Sequence, residues 1–325
     1  MSDVTAIGEL LIDFIEYGVS DQGNPLFEAN PGGAPCNVLA MLSKMGKKTT
    51  FIGKVGDDMF GKQLKDALVE TNVGTEGLCY DKEIHTTLAY VHKTPDGDRD
   101  FSFYRQPGAD IRLTKEDINA EIIKDSKLFH FGSLSLTDEP VKTATLHAIE
   151  VAKSAGITVS FDPNLREPLW DSLDKAKEEI ERGMALCDIL KISDNEIKWI
   201  TGISDYDEAI LALAKKYPNI KVLFLTLGKE GSKAYCNGVT AFAPTFPKKV
   251  VETTGAGDTF MGMTLNQLLD EGLENIGNLS EETLTRILTL SNVTAGLITT
   301  RKGALRVMPD KAEIENYLKE NNIEL

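Results

Sequence analysis

A glycine-rich segment followed by an aspartate is the part of the sequence that most directly suggests chemistry. Residues 252–260 read ETTGAGDTF, and a helical pattern of apolar residues begins just after them. Gly255, Ala256 and Gly257 therefore fall where a helix has free N–H groups and the positive end of its dipole, which attract an anion. Asp258 suits the removal of a proton from an attacking hydroxyl while those amides stabilise a transferring phosphoryl group. The alternative is a glycine-rich turn with an aspartate that caps the helix.

A second glycine cluster, near the start of the chain, has the composition of a sugar-binding loop. Residues 30–37 read NPGGAPCN and also open a predicted helix. Gly32 and Gly33 permit close approach to the backbone, Asn37 presents an amide one turn into the helix, and Asp13 adds a carboxylate from the end of the first strand. Because a sugar hydroxyl both donates and accepts, these groups suit neighbouring hydroxyls. The alternative is a tight loop with Asn37 facing solvent.

Polar or glycine-rich loops follow three successive predicted strands. The first loop, residues 161–166, reads FDPNLR and supplies Asn164 and Arg166; the others are KISDNE at 191–196 and TLGKEG at 226–231. Ligands of open α/β sheets bind at the carboxyl ends of the strands, so these side chains are predicted to reach a common site. Arginine is well suited to an anionic oxygen.

Residues 56–63, GDDMFGKQ, nearly match a P-loop but are predicted to start a helix instead. Gln63 stands where the motif needs a hydroxyl for Mg²⁺, and Asp57 and Asp58 would repel phosphates. We expect one of these two aspartates to cap the helix.

Short apolar strands alternate with amphipathic helices along most of the chain, which predicts an α/β fold with a doubly wound, mostly parallel sheet flanked by helices. Strands are predicted at residues 4–14, 49–55, 127–131, 157–161, 188–192 and 222–227. Helices are predicted at residues 35–45, 59–73, 140–155, 194–200 and 207–217. We expect a single domain over residues 1–325.

Two stretches break this alternation. Residues 86–104 alternate with period two around an Asp96-Gly97 turn signal, and residues 14–28 are strand-like and turn-rich. Neither fits a βαβ crossover. We expect residues of about 14–30 and 86–110 to pair into a small β-sheet that acts as a lid over the site. The alternative is two peripheral hairpins without a role.

Composition excludes several classes of protein. Among 325 residues, 35 Lys and Arg against 50 Asp and Glu give a net charge of −15, which argues against a nucleic-acid or anionic-membrane partner. A hydrophobic fraction of 42% excludes a mainly disordered chain. No run approaches the roughly 18 apolar residues of a membrane span, and no signal peptide is recognisable, so we expect a cytoplasmic protein. The four Cys and four His are scattered, and no zinc site is predicted.

Taken together, these segments resemble the ribokinase-like (PfkB-type) carbohydrate kinases, in order over nearly the whole chain. Residues 31–37 match the family's glycine-rich sugar loop and residues 253–260 its C-terminal signature. The resemblance implies a ribokinase-like fold and phosphoryl transfer from ATP to a sugar hydroxyl. Further stretches are most similar to fructokinases, which implies conversion of fructose to fructose 6-phosphate: residues 8–13, 103–105, 109–110, 162–166, 169–170 and 300–304. Kinases of 2-keto-3-deoxygluconate or aminoimidazole riboside share similar stretches and stay open as alternatives.

The resemblance also implies roles for individual residues. Asp258 would be the general base, residues 255–257 an anion hole, and Arg166 would lie near the phosphoryl path. The sugar would contact Asp13, Gly32, Gly33, Asn37, Phe103, Arg105, Asn164 and Asp258. The nucleotide would contact Lys191, Glu196, Thr226, Gly228, Gly231, Gly255, Gly257 and Asn292.

The implied cofactors are ATP and Mg²⁺, with Glu196 placing the metal through water, and K⁺ near Glu252. This sequence departs from the family at two positions. Ser193 replaces the asparagine of the family's N-x-x-E element, and Glu252 stands where an aspartate is common. The family commonly forms homodimers through its lids, which would cover their exposed strand edges.

Two other classes of protein fit the sequence less well than a kinase. A sugar- or nucleotide-sensing protein could keep the fold, but it would be expected to lose Asp258 or the Gly-Ala-Gly run, and both are present. A Rossmann dehydrogenase needs G-x-G-x-x-G after its first strand, which residues 8–13, GELLID, do not provide.

Overall fold

Thirteen strands and ten α-helices make up the computed structural model, which describes residues 1–93, 99–246 and 249–325. The strands are β1 (Ser2–Ile7), β2 (Leu11–Val19), β3 (Pro25–Gly32), β4 (Thr49–Gly56), β5 (Val73–Asp81), β6 (Leu88–Lys93), β7 (Arg99–Tyr104), β8 (Ser126–Gly132), β9 (Thr158–Asp162), β10 (Ile189–Ser193), β11 (Val222–Thr226), β12 (Ser232–Cys236) and β13 (Val239–Ala243). The helices are α1 (Ala34–Lys44), α2 (Met59–Glu70), α3 (Ala120–Lys124), α4 (Val141–Ser154), α5 (Leu173–Leu186), α6 (Asp194–Thr201), α7 (Tyr206–Lys216), α8 (Ala256–Glu271), α9 (Glu281–Ile298) and α10 (Lys311–Glu320).

The large sheet has the order β13-β12-β11-β10-β9-β8-β1-β4-β5. From β11 to β5 every neighbouring pair is parallel, while β12 and β13 add an antiparallel edge. Successive residues of a strand point to opposite faces, so Leu128 joins the hydrophobic cluster beneath α1, α8 and α9, and Phe129 joins the one beneath α4 and α6. Helices thus cover both faces, which confirms the predicted fold class.

A second, four-stranded sheet has the order β3-β2-β6-β7. The antiparallel pairing of β6 with β7 agrees with the period-two pattern, although the Asp96-Gly97 turn lies outside the described residues. The prediction of one strand over residues 4–14 was wrong. The chain leaves the large sheet after Ile7 and enters the second sheet at Leu11. Gly8 permits this change of direction, because a Cβ there would lie 2.6 Å from a ring carbon of Pro35.

The helix predicted over residues 59–73 is also shorter than expected. It ends at Glu70, and Val73 already begins β5, a strand that the sequence did not predict. The start of this helix is as expected, because the Asp58 side chain accepts a 2.8 Å hydrogen bond from the Gly61 amide. The P-loop-like residues 56–63 therefore form a capped helix start.

Candidate active site

A cavity of about 570 Å³ opens where the ends of β9 and β10 meet the beginnings of α1 and α8. The topology brings these elements together because parallel strands share one carboxyl edge. The second sheet contributes Leu11, Asp13 and Phe103. Other lining residues are Glu9, Gly33, Ala34, Asn37, Leu134, Asn164, Arg166, Lys191, Asn195, Thr253, Thr254, Gly255, Gly257 and Asp258. The cavity therefore collects residues from all three motifs of the sequence.

Asp258 lies in the first turn of α8 and is only 8% exposed. Its Oδ2 accepts a hydrogen bond of 2.8 Å from Nδ2 of Asn37, and its Oδ1 accepts one of 3.1 Å from Nδ2 of Asn164. Burial raises the pKa of Asp258, against the opposing effects of these amides and of Lys191 and Arg166. A carboxylate with a raised pKa is a better proton acceptor, as a general base requires.

The start of α8 offers backbone donors next to this carboxylate. Gly255 adopts a left-handed conformation, with φ of 76°, and turns the chain into the helix. The amide of Ala256 donates to the Thr253 carbonyl at 3.2 Å, so one of the three predicted anion-hole donors is engaged. Within the described residues, the amides of Gly255 and Gly257 donate to no protein acceptor. These two N–H groups and the helix dipole form a site for an anion.

Lys191 brings a positive charge to the same place. A Cβ on Gly257 would lie 3.1 Å from Nζ of Lys191, and this Nζ forms a 2.9 Å ion pair with Oδ2 of Asp162. The side chains of the pair are 7% and 3% exposed. Burial raises the pKa of Asp162. Burial alone would lower the pKa of Lys191, but the nearby carboxylates of Asp162 and Glu196 outweigh this effect and raise it overall. Lys191 therefore stays charged beside the helix start.

The opposite end of the cavity is acidic. Burial raises the pKa of both Asp13 and Glu9 to about 7. Oε1 of Glu9 accepts a 2.7 Å hydrogen bond from the Ala34 amide at the start of α1. Gly33 has φ of 127°, and a Cβ there would overlap the Glu9 carbonyl oxygen, so only glycine fits. Gly32 is not among the lining residues, and a Cβ on it would overlap Oδ2 of Asp13.

Arg105 lies beside this cavity without forming its wall. Its Nε donates to Asp110 at 2.7 Å, its Nη1 to Thr137 at 2.9 Å and its Nη2 to the Leu134 carbonyl at 3.0 Å. Phe103 and Arg105 were both predicted to contact the sugar. Phe103 lines the cavity, whereas the guanidinium of Arg105 is hydrogen-bonded within the protein.

A second cavity of about 360 Å³ adjoins the first and shares Asn164, Arg166, Lys191 and Asn195 with it. Nη1 of Arg166 donates to the Leu165 carbonyl at 3.2 Å. Glu196 lines the second cavity as well. The two cations, Arg166 and Lys191, thus lie where both cavities meet.

The carboxylate of Glu196 is held by the protein. Its Oε1 accepts from the Leu165 amide at 2.7 Å, while its Oε2 accepts from the amide and the hydroxyl of Ser193 at 2.8 and 2.7 Å. Ser193 in turn caps α6, which forms a capping box. The serine that replaces the family's asparagine therefore has a local structural role.

The remaining predicted nucleotide residues line neither of these cavities. Thr226 ends β11, and Gly228 and Gly231 follow it with φ of 54° and 129°. Nδ2 of Asn292 on α9 donates to the Ala243 carbonyl at 2.9 Å, and its Oδ1 accepts from the Ser232 hydroxyl at 2.9 Å. Asn292 thus ties α9 to the β12–β13 hairpin.

Direct metal ligands are sparse. Within residues 1–93, 99–246 and 249–325, no group of three or more His, Cys, Asp or Glu side chains is arranged to hold a metal ion. Oε1 of Glu252 accepts from the Thr254 hydroxyl at 2.7 Å and its Oε2 from the Gly303 amide at 3.1 Å.

Among the residues that the structure describes, no helix has the length and apolar character to cross a bilayer.

Sequence reasoning did not single out Glu9 as a site residue, although it lies within the GELLID segment. The signal was a carboxylate inside an otherwise apolar run, which is costly to bury without a partner. Its partner, the start of α1, is 25 residues away in the chain, so only the fold reveals it.

Comparison with known proteins identifies the family of this chain. The family model described as pfkB family carbohydrate kinase matches residues 1–311. Probable fructokinase-2 of Arabidopsis thaliana is 42% identical over 320 residues, covering 97% of this chain and 95% of that protein. A fructokinase from Xylella fastidiosa, solved with bound ATP, superposes with a TM-score of 0.89 at 28% identity, covering 99% of this chain and 100% of that one.

A second solved structure, fructokinase from Vibrio cholerae O395 in a fructose-, ADP- and calcium-bound form, superposes with a TM-score of 0.84 at 29% identity. The alignment covers 98% of this chain and 99% of that one. Fold, motifs and overall similarity agree over nearly the full length. The chain therefore belongs to the pfkB family of carbohydrate kinases, phosphotransferases whose acceptor is an alcohol group.

Proposed function

We propose that the protein transfers the γ-phosphoryl group of ATP to fructose and forms fructose 6-phosphate. The observation that carries this proposal is the position of Asp258, a buried carboxylate directly beside two available amides at the start of α8. A base and an anion site within one helical turn suit the deprotonation of a hydroxyl at the moment when it attacks phosphorus. The choice of fructose is supported by the similarity to fructokinases over nearly the whole chain.

In the proposed reaction the C6 hydroxyl lies against Asp258. Its proton moves to the carboxylate while the oxygen forms a bond to the γ-phosphorus, and the bond from that phosphorus to the β–γ bridging oxygen breaks. The amides of Gly255 and Gly257 stabilise the charge on the phosphoryl oxygens, with Lys191 and Arg166 as nearby cations. Phosphoryl transfer depends mainly on such positioning and charge stabilisation.

The polar groups around the proposed sugar position favour a neutral sugar. Nδ2 of Asn37 is engaged by Asp258, but its Oδ1 is buried and has no partner among the described residues, so it can accept from a hydroxyl. Glu9 and Asp13 add carboxylates, and Arg105 is already paired with Asp110. The ionised forms of Glu9 and Asp13 would repel the carboxylate of a sugar acid, which costs free energy. A sugar acid such as 2-keto-3-deoxygluconate is therefore disfavoured as the substrate.

We place the nucleotide across the strand ends, near Lys191, Thr226, Gly228, Gly231 and Asn292. The residues fit a Mg²⁺ ion that arrives with the nucleotide, because Mg²⁺ keeps several waters and needs only one or two protein carboxylates beside the phosphates. Glu196 would hold it through water, and Mg²⁺ would neutralise phosphate charge. Glu252, buried beside the start of α8, would contribute to a K⁺ site.

We also propose that the chain is one ribokinase-like domain in which the second sheet, within about residues 14–30 and 86–110, acts as a lid. Phe103 supports this role, since it reaches the cavity from β7. The sheet also has exposed apolar side chains, which a second copy of the chain would cover in a homodimer: Tyr17, Val19, Leu26, Phe27 and Tyr104. A cytoplasmic location stays a prediction from the sequence.

A coupled assay of ADP release with fructose, ribose, 2-keto-3-deoxygluconate and aminoimidazole riboside tests the proposed substrate. We expect the largest kcat/KM with fructose, and phosphorus NMR of the product should identify fructose 6-phosphate. A larger kcat/KM with aminoimidazole riboside or the sugar acid would show that the proposed substrate is wrong, while the proposed phosphoryl transfer would stand. Binding of sugar or ATP without ADP release would instead favour the sensing protein.

A further inference from the structure

Asn164 is held in an unusual backbone conformation at the centre of the site. Its φ is 46°, in the left-handed region that residues other than glycine seldom adopt, and it follows β9 directly after Pro163. Asparagine tolerates this region better than most residues, but at a cost. Such conformations persist only where the surrounding structure fixes them, and they are frequent at functional sites.

The side chain of Asn164 points to the carboxylate of Asp258. Nδ2 of Asn164 donates to Oδ1 of Asp258 at 3.1 Å, while Asn37 donates to Oδ2 at 2.8 Å. Two amides therefore hold the carboxylate, one on each oxygen. Asn37 belongs to α1, whereas Asn164 belongs to a loop and lines both cavities. The loop asparagine thus fixes the carboxylate from the side where the cavities meet.

We propose that Asn164 is a positioning residue that orients Asp258 and keeps it ionised for proton transfer. This inference rests on the proposed function of Asp258 as the general base. Each carboxylate oxygen has a second lone pair, so the sugar hydroxyl can bind Asp258 while the amide stays in place. A donor to the charged form of a carboxylate favours that form, and here it opposes the effect of burial. The role differs from direct contact with the sugar.

Removal of the Asn164 amide changes one of several groups that act on Asp258. The cations facing it are Lys191 on β10 and Arg166 after β9. The acidic groups and the thiol around it are Asp13 on β2, Asp162 on β9 and Cys36 on α1, and Glu252 before α8 acts on Asp13. All of these stay in place when residue 164 alone is changed. A shift in the titration of Asp258 would therefore report the lost amide.

The test is Asn164→Gly, which removes the amide but accepts the left-handed backbone. We expect kcat to fall about tenfold, the effect of losing a hydrogen bond to a charged group. The acidic limb of the pH profile of kcat/KM should move to higher pH, because Asp258 is then harder to ionise. Asn164→Ala should show the same shift together with a lower thermal unfolding temperature, because alanine adds backbone strain.

Asn72→Gly is the matched control. Asn72 has φ of 57° in the turn between α2 and β5, away from the cavities, so the chemical change is the same. Its pH profile should equal that of the unchanged protein. An unmoved acidic limb in Asn164→Gly, or a loss of kcat in Asn164→Ala alone, would overturn the positioning role.

A second readout separates this inference from the proposed function. Carbon NMR of aspartate-labelled enzyme without substrates follows the titration of Asp258, which Asp258→Asn identifies by loss of its signal. We expect the titration to move to higher pH in Asn164→Gly, whichever sugar the enzyme accepts. If fructose is not phosphorylated but the titration shifts, the proposed substrate is wrong and the effect on Asp258 stands. If the titration does not shift, the inference on Asn164 fails.

Discussion

Asp258→Asn should lower kcat by at least ~10²-fold and change nucleotide affinity little. The amide of asparagine cannot take the hydroxyl proton, while its size preserves the packing at the start of α8. Asp258 is buried and contacts Asn37 and Asn164, so the substitution acts on the carboxylate and not on an exposed surface. ADP release measures kcat, and calorimetry with a non-hydrolysable ATP analogue measures the affinity.

The matched control is Asp270→Asn, on the same helix. Asp270 has a side chain that is 59% exposed and pairs with Lys47 far from the cavity, so its loss should leave kcat unchanged. A ratio of the two kcat values near one would remove Asp258 from its proposed role.

Gly257→Pro should lower kcat by about 10²- to 10³-fold, the effect of losing one donor of an oxyanion hole. Proline removes the N–H group of residue 257 and leaves the helix intact, since donors in the first turn have no partner within the helix. The chain already has a proline at the equivalent place, because Pro35 is the second residue of α1 as Gly257 is of α8.

Gly257→Ala separates the donor from the added side chain. Alanine keeps the N–H group but places a Cβ 3.1 Å from Nζ of Lys191, a contact that the proline shares. We expect the alanine variant to retain most of the activity that the proline variant loses. Equal losses in steady-state assays of both variants would attribute the effect to crowding of Lys191.

The sequence predicted those parts of the site whose geometry depends on residues close together in the chain. Glycines before a helix, followed by an aspartate, determine an anion site within a few residues, and Asn37 lies one turn into its own helix. The partners of Arg105 were not predictable in this way. Leu134 and Thr137 lie about 30 residues further along, after β8, and reach the Arg105 guanidinium only in the folded chain. The bonds that tie Asn292 to Ser232 and Ala243, about 50 to 60 residues earlier in the chain, were not predictable either.

The fold class was predictable because continuous apolar runs and amphipathic helices alternate along the chain. The predicted element boundaries were wrong at two places, within residues 4–14 and at Val73. Residues 4–12 are buried throughout, so a single strand was predicted across Gly8 and Glu9, where the chain in fact passes from one sheet to the other between Ile7 and Leu11. β5 lies at the edge of the large sheet and contains two glycines, so its strand pattern is weak.

Binding of a phosphoryl-transfer mimic tests most directly whether the start of α8 holds the migrating group. Calorimetry would compare MgADP alone with MgADP plus aluminium fluoride, in the presence of fructose. We expect the unchanged enzyme and Gly257→Ala to bind the fluoride complex at least ~10²-fold more tightly than MgADP, as is typical of transition-state analogues. Gly257→Pro should keep its affinity for MgADP and lose most of that gain. An equal gain in Gly257→Pro and Gly257→Ala would contradict a role of the Gly257 amide in phosphoryl transfer.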